Sequence, residues 1–248
     1  MMTTIQSLAE TIHKADKIAV MTGAGISTAS GIPDFRSKGG IYDNKELQVE
    51  RILSESYYYA QPKSFWTYFK QIFHFNAMGG YEPNLGHIWL KELEDAGKQV
   101  TVITQNVDGL HRKAGSSAVL EVHGTLTSAF CPKCRREYDY PYLLREEVPR
   151  CEKDGFILKS DVVLFEGRVK HMEEAYAAAC SSDLFLVLGS SLTVYPLKEL
   201  PRYASGESGI ATAIVNRDAT DMDHLFQYVI HDDIVAVFEE MKLLSAHF

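Results

Sequence analysis

The residues best suited to chemistry stand in short clusters, most of them directly after apolar runs. Gly23-Ala24-Gly25-Ile26-Ser27 follows the run Lys17–Thr22. Glycines at a strand-to-helix turn let the backbone approach a pyrophosphate, and the helix start beyond them offers N–H donors. The usual dinucleotide fingerprint would place a third glycine where Thr28 stands, so this variant also fits a tight turn without ligand. Gly31-Ile32-Pro33-Asp34-Phe35-Arg36 puts opposite charges on one stiffened turn, with Phe35 able to cover a cofactor face. Its plain alternative is a surface loop in which Asp34 and Arg36 merely pair. Thr104-Gln105-Asn106-Val107-Asp108-Gly109-Leu110-His111 ends a second apolar run, and its amides suit ribose hydroxyls or a carboxamide. An Asx-type turn explains the Asn-Val-Asp-Gly part but not Gln105. His123-Gly124 carries a lone histidine that is either structural or a general base titrating near neutrality. Gly189-Ser190-Ser191-Leu192 offers hydroxyls and N–H groups to a phosphate, and Asn216 of Val215-Asn216-Arg217 can bond a ribose hydroxyl.

A different chemistry is written in Cys131-Pro132-Lys133-Cys134 and Cys151-Glu152-Lys153-Asp154. The gap between the pairs falls within the ~15–20 residues of split structural zinc sites. Asp154 takes the fourth position as a harder oxygen ligand. Three readings stay open: a zinc site of three cysteines and Asp154, three cysteines completed by another donor, and a degenerate ribbon without metal. Cys180, in an alanine-rich helix, reads as a core residue.

The elements that must position these clusters alternate. Thr3 and Gln6 form a capping box before a helical pattern at Ile5, Leu8, Ala9 and Ile12. The strand-like runs are Lys17–Thr22, Gln99–Thr104, Asp161–Phe165, Leu184–Gly189 and Ala211–Asn216, with Tyr228–His231 weaker. Their continuous apolar character suits strands covered on both faces. Helical segments at Ile88–Ala96, Met172–Cys180 and Ile234–Leu244 lie between or after them. This is an α/β pattern, a doubly wound parallel sheet. Two stretches interrupt it. The aromatic-rich segment 35–81 reads as a mostly helical insertion that starts with a mobile loop. Segment 127–159 reads as a small metal-stabilised insertion. The core would then comprise about 1–34, 82–126 and 160–248 of a single catalytic unit.

The chain has 248 residues, 46% of them hydrophobic, and a formal net charge of −8. That charge argues against broad binding to nucleic acid or anionic membrane. No apolar run approaches the ~20 residues of a membrane span. The first residues show no secretory signal pattern, so the expected compartment is the cytoplasm.

In combination and order these motifs resemble one family, the sirtuins, NAD-dependent protein lysine deacylases. The resemblance spans about Lys17 to Asp233. It implies a Rossmann-like domain interrupted by a helical module and a zinc ribbon, with the active site in the cleft between them. Gly23, Ala24, Gly25, Ser27, Gly189, Ser190 and Ser191 would hold the NAD phosphates, and Asn216 with Arg217 the adenosine ribose. Asp34, Phe35, Arg36 and Tyr42 would form the cofactor loop. Ile32, Asn106 and Asp108 would line the nicotinamide pocket, Asp108 bonding the carboxamide, and Gln105 would contact the ribose. His123 would be the general base, with Asn106 beside it in the catalytic set. Cys131, Cys134, Cys151 and Asp154 would bind one structural zinc. An acetyl-lysine peptide would lie as an added strand between Val163–Gly167 and Ser191–Tyr195, touching Val163, Phe165 and Val194. The implied products are free lysine, nicotinamide and O-acetyl-ADP-ribose. A sirtuin-like ADP-ribosyltransferase or NAD hydrolase is the alternative.

Family members that remove succinyl or malonyl groups share a Tyr-x-x-Arg pair in the helical insertion. Here Tyr68-Phe69-Lys70-Gln71 aligns, with Gln71 in place of the arginine. Glutamine offers no charge-assisted bidentate pair, so neutral acyl groups are expected, acetyl first. Phe165-Glu166-Gly167 exchanges the family's usual Gly-Glu order, and Lys159-Ser160-Asp161 lacks its common proline.

Overall fold

The computed structural model describes residues 2–34 and 48–245. Helix α1 (Thr4–Lys14) starts at the Thr3 box, both arms of which form: Gln6 N–H donates to Thr3 Oγ1 at 3.1 Å and Thr3 N–H to Gln6 Oε1 at 2.9 Å. Strand β1 (Lys17–Thr22) follows. After the glycine turn the chain forms a 3-10 segment, Ala24–Ser30, rather than an α-helix. The helical insertion supplies α2 (Val49–Ile52), α3 (Glu55–Ala60) and α4 (Pro62–Ile72). Then come α5 (Leu85–Asp95), β2 (Gln99–Thr104), α6 (Leu110–Lys113) and β3 (Ala118–Glu121). Asn84 caps α5, which starts it ahead of the apolar pattern at Ile88.

The second insertion contains β4 (Ser128–Phe130), β5 (Glu137–Asp139), α7 (Tyr140–Leu144) and β6 (Lys159–Ser160). Its strands make a small antiparallel sheet in the order β5-β4-β6. The chain closes with α8 (Met172–Cys180), β7 (Leu184–Leu188), α9 (Leu200–Gly206), β8 (Ala211–Val215), β9 (Tyr228–Ile230) and α10 (Ile234–Ser245).

The main sheet is parallel, in the order β3-β2-β1-β7-β8-β9. Counted along the chain within this sheet, that is the doubly wound order 3-2-1-4-5-6, which reverses between β1 and β7. Strand side chains alternate between two cores. Ile18, Val20, Leu184 and Leu186 pack with Leu8, Leu90 and Phe238 from α1, α5 and α10. Ala19, Met21, Phe185 and Val187 pack with Ala175, Ala179 and Leu200 from α8 and α9. Both faces are therefore covered, which is why these strands read as continuous apolar runs.

A third cluster joins the insertions. Phe65, Trp66, Phe69 and Phe75 pack against Leu143, Leu158 and Cys131. Trp66 Nε1 donates to the Leu158 carbonyl at 2.6 Å. No helix among the described residues is long and apolar enough to cross a membrane.

One expectation needs correction. Asp161–Phe165 is not a strand of the main sheet: only Phe165 pairs, through an isolated bridge to Ser54. Its burial alternates, with Val162 and Leu164 inward, so it faces the small core on one side only. The main sheet's place is taken by the short β3, next to β2 at the sheet edge.

Candidate active site

Four strands end together at the reversal of the sheet. Gly23 N–H donates to the Leu188 carbonyl at 3.0 Å, Gln105 N–H to Thr22 at 3.0 Å, and Gly189 N–H to Val215 at 3.0 Å. The glycines do more than admit a ligand. A Cβ on Gly23 would lie 2.6 Å from the Gly189 carbonyl oxygen, and one on Gly25 would lie 2.7 Å from Gly189 Cα. Gly189 itself sits at φ +62. Two loops thus pack backbone to backbone, and the Gly25 N–H bonds the Gly189 carbonyl at 2.9 Å.

Above this floor is a cleft with about 490 Å³ of empty volume, open solvent included. Ala24, Ser27, Ile32, Asn106 and Asp108, all singled out in the sequence reading, line it. The helical insertion adds Phe73, His74 and Met78, which that reading missed. Only the aromatic richness of the insertion hinted at them, without singling out positions.

The polar groups around the cleft are held by one another. Asn106 Nδ2 donates to the Gly23 carbonyl at 3.0 Å and to Ser27 Oγ at 3.1 Å. Ser27 Oγ donates to Asp108 Oδ2 at 2.7 Å, and Leu110 N–H donates to Asp108 Oδ1 at 2.9 Å. Burial pushes the Asp108 carboxyl above the usual carboxylate range, against the pull of these two bonds. Gln105 Nε2 donates to Ser190 Oγ at 3.0 Å. Ser191 is exposed and bonds Thr193 at 3.0 Å. Farther along the edge, Asn216 Nδ2 donates to the Asp218 carbonyl at 2.7 Å, and exposed Arg217 pairs with Asp233 at 2.9 Å. Asp34 is described, whereas Phe35, Arg36 and Tyr42 lie outside the described residues.

His123 stands half-buried beside Gln105. Its Nδ1 lies 3.1 Å from the Gln105 carbonyl oxygen. A carbonyl only accepts, so this contact places the ring proton on Nδ1 and leaves the Nε2 lone pair available. Burial lowers its pKa from 6.5, with the Gln105 bond pulling the other way, so the ring is neutral at pH 7. Gly124 explains the second half of this motif. At φ +73, a Cβ there would meet the Asp161 carbonyl oxygen at 2.0 Å. The main chain of His123 accepts from Val163 N–H at 2.8 Å. One backbone contact therefore ties the histidine to segment 161–167.

That segment also pairs with the helical insertion, and Phe165 and Glu166 line a separate groove beside α2 and α3. Phe165 N–H donates to the Leu53 carbonyl at 2.8 Å, and Glu55 N–H donates back to Phe165 at 3.1 Å. Phe165 and Val194 are exposed apolar residues, and Tyr195 is more exposed still. The exchanged Glu166 adopts φ +71, and its carboxylate accepts from Ser56 N–H at 3.1 Å and Ser56 Oγ at 2.6 Å. It thereby satisfies open donors at the start of α3. Lys70 points away from the cleft: its ammonium donates to the Leu143 and Glu146 carbonyls at 2.6 and 2.5 Å. Gln71 is exposed on the same helix.

In the ribbon, the donor atoms of Cys131, Cys134, Cys151 and Asp154 all lie within 4.8 Å of one another. Cys134 and Cys151 sulfurs are 3.6 Å apart, and Asp154 Oδ2 is 3.7 and 3.8 Å from Cys131 and Cys151. Tetrahedral zinc with ~2.3 Å bonds to sulfur requires edges of about 3.8 Å. The two loops share one geometry. Arg135 N–H donates to Cys131 and Gly155 N–H to Cys151, at φ +63 and +68. Asp154 thus stands beside the three sulfurs at the fourth corner of the cluster, and the donor set fits a structural zinc.

Sheet order, and a cleft at the sheet reversal that holds Ser27, Asn106 and Asp108 among apolar residues, place the chain in the doubly wound class, whose ligands bind at such a reversal. The Sir2 family model matches residues 23–196. The chain is 52% identical over 231 residues to NAD-dependent protein deacetylase 2 of Geobacillus kaustophilus, covering 93% of each chain. It is 46% identical to the NAD-dependent protein deacetylase of Bacillus subtilis, covering 90% of this chain and 93% of that one. A solved structure described as "Sir2-p53 peptide-NAD+" superposes with a TM-score of 0.85 at 31% identity, covering 98% of this chain and 99% of the other. The chain belongs to the Sir2 family.

Proposed function

We propose that the chain removes acetyl groups from protein lysines in an NAD-dependent reaction that consumes one water and gives free lysine, nicotinamide and O-acetyl-ADP-ribose. The observation that carries this reading is the neutral His123, its Nδ1 fixed on the Gln105 carbonyl and its Nε2 free. The Gln105 side chain in turn meets Ser190 on the phosphate-type loop. A base is thereby locked to the dinucleotide cleft.

Bound NAD supplies a ribose carbon that releases nicotinamide and a hydroxyl that accepts the acyl group. The protein's part is to orient, shield and move a proton. Gly23, Ala24, Gly25, Ser27, Gly189, Ser190 and Ser191 hold the phosphates, and Asn216 with Arg217 the adenosine end. Ile32, Asn106 and Asp108 hold the nicotinamide end. Phe73, Val107 and Leu126 line the same cleft and exclude water. His123 Nε2 takes the proton of the attacking hydroxyl. Asp34, Phe35, Arg36 and Tyr42 belong to the loop over the cofactor.

The peptide adds as a strand between Val163–Gly167 and Ser191–Tyr195, with Val163, Phe165 and Val194 around the acyl-lysine. Exposed Phe165 and Val194 support this placement. The absence of a cation at Gln71, with Lys70 committed to carbonyls, supports neutral acyl groups. The zinc ribbon contributes stability rather than chemistry. The test is mass spectrometry of an acetyl-lysine peptide with and without NAD. Acetyl loss only with NAD, together with O-acetyl-ADP-ribose, is expected. Nicotinamide release without acetyl loss, or an ADP-ribose adduct on protein, would replace this reading with NAD hydrolysis or ADP-ribosyl transfer.

A further inference from the structure

The cleft rests on a buried pair of histidines that the proposed reaction does not use. His87, on α5, is 0% exposed, and its ring packs against that of His111 with centroids 4.8 Å apart. His111 is itself buried, with Nε2 3.0 Å from Thr22 Oγ1 at the end of β1. Burial pulls His87 down to about 4 and His111 well below the ordinary range, with His87 adding to the second effect. Both rings are therefore neutral, and each carries a single proton.

The position of the His87 proton follows from its neighbours. Asn84 N–H donates to His87 Nδ1 at 3.3 Å, as part of the cap of α5. The proton is then on Nε2, which faces Ser27 Oγ at 3.5 Å. Ser27 Oγ also accepts from Asn106 Nδ2 at 3.1 Å. A hydroxyl has two lone pairs and one proton. With both lone pairs facing N–H donors, the Ser27 proton is directed to Asp108 Oδ2, 2.7 Å away. The helix cap at Asn84 thus sets a ring tautomer, the tautomer sets a hydroxyl, and the hydroxyl holds a carboxylate that lines the cleft.

We propose that His87 is a positioning residue for the nicotinamide end of the cleft, acting as a buried neutral donor that orients Ser27 and through it Asp108. The inference rests on the proposed function, in which Asp108 meets the carboxamide. It also separates His87 from a purely structural core histidine, which would affect stability alone. A leucine of similar bulk keeps the apolar packing but returns one Ser27 lone pair. The hydroxyl can then turn away from Asp108, which loses its only side-chain donor while keeping the Leu110 N–H.

The experiment compares the full-length wild type with His87→Leu and His87→Gln. Kd for NAD is read by calorimetry, KM for NAD and for an acetyl-lysine peptide by steady-state kinetics, and inhibition by added nicotinamide in the same assay. His87→Leu should weaken NAD and nicotinamide about three- to tenfold, the worth of one hydrogen bond, with peptide KM moved less than about twofold. His87→Gln, whose amide retains a donor, should recover most of the loss. Imidazole nitrogen NMR of the wild type should show Nε2 protonated and Nδ1 bare. A folded His87→Leu variant with unchanged NAD and nicotinamide affinity would overturn the proposal, as would a proton on Nδ1. If His87→Leu does not fold, the glutamine variant and the NMR tautomer decide. A wild-type chain that binds NAD but leaves the acetyl peptide untouched would overturn the deacetylase reading instead, and the NAD affinities would still test His87.

Discussion

The contact between the loops at Gly25 and Gly189 sets up a double-mutant test. An alanine at position 25 would place Cβ 2.7 Å from Gly189 Cα and 2.9 Å from its oxygen. Carbon atoms rest at about 3.5–4.0 Å, so the loops must part by about 1 Å. That movement breaks the 2.9 Å bond from Gly25 N–H to the Gly189 carbonyl. Overpacking costs about 1–3 kcal/mol and the lost bond about 1 kcal/mol, so Gly25→Ala should cost about 2–4 kcal/mol. Gly189→Ala meets Ile26 N at 2.5 Å and must also hold φ +62. The left-handed conformation adds about 1–2 kcal/mol, for a total of about 3–6 kcal/mol. Because one separation of the loops relieves both overlaps, the double variant should cost less than the sum by at least about 1 kcal/mol. Denaturant unfolding of the four proteins measures the cycle. The same separation carries Ser190 away from Gln105 Nε2, so NAD affinity should fall along with stability. Additivity within about 0.5 kcal/mol, or a cost below about 1 kcal/mol for Gly189→Ala, would refute backbone-to-backbone packing as the reason for these glycines.

Other consequences follow from the same geometry. His123→Ala should lower deacetylation about a hundredfold or more while the unfolding midpoint barely moves, and normal turnover would show the base to be elsewhere. Because burial holds His123 below its ordinary 6.5, the acid limb of kcat/KM should lie on the acid side of that value; a limb above it would contradict the assignment. His87 has a folded pKa of about 4 against 6.5 unfolded, so its contribution to stability is complete above pH 6.5 and is lost as pH falls toward 4. Each such histidine adds about 1.4 kcal/mol per pH unit in that window, and His87→Gln should flatten the measured slope. Elemental analysis should find about one zinc per chain; chelation or Asp154→Ala should lower the melting temperature, and Asp154→Cys should preserve it. An unchanged melting temperature in metal-free protein would mark the ribbon as degenerate. Lys70→Met should cost about 1–2 kcal/mol by freeing two carbonyls of the second insertion, without creating or removing activity on succinyl-lysine.

Much of the sheet was legible because strands covered on both faces are apolar throughout. Leu184–Leu188 is wholly buried, and its run could be read with its boundary off by one residue. The same criterion failed at Asp161–Phe165. There the apolar residues serve two different surfaces: Val162 and Leu164 enter the small core, while Val163 and Phe165 face outward. A run of five residues does not distinguish a strand buried on both faces from a crossing segment with a core on one side only. Strand β3 was missed for the opposite reason. At the sheet edge only Val119 of its residues is fully buried, so its sequence lacks a long apolar run.

The candidate site residues legible in the sequence are those in contiguous motifs, because a strand end followed by a tight turn compresses several polar groups into a few positions. What spacing cannot carry is a contact between distant segments. The match of Gly25 to Gly189, of Gly124 to Asp161, and of Glu166 to Ser56 each joins residues far apart in the chain. His87 is the limiting case, since a single histidine on an amphipathic helix carries no periodic signal of its own. Its meaning arises only when Asn84 fixes its tautomer from one side and Ser27 receives its proton on the other. Asp154 shows how spacing and geometry can each supply half of an argument. The sequence placed it at a ligand position with an unexpected chemistry. The loop around Gly155, repeating the turn around Arg135, shows that the backbone there is still shaped to present a fourth donor. With the same turn at both knuckles, Asp154 Oδ2 lies 3.7 and 3.8 Å from the Cys131 and Cys151 sulfurs, the spacing that oxygen ligation of a shared zinc would use.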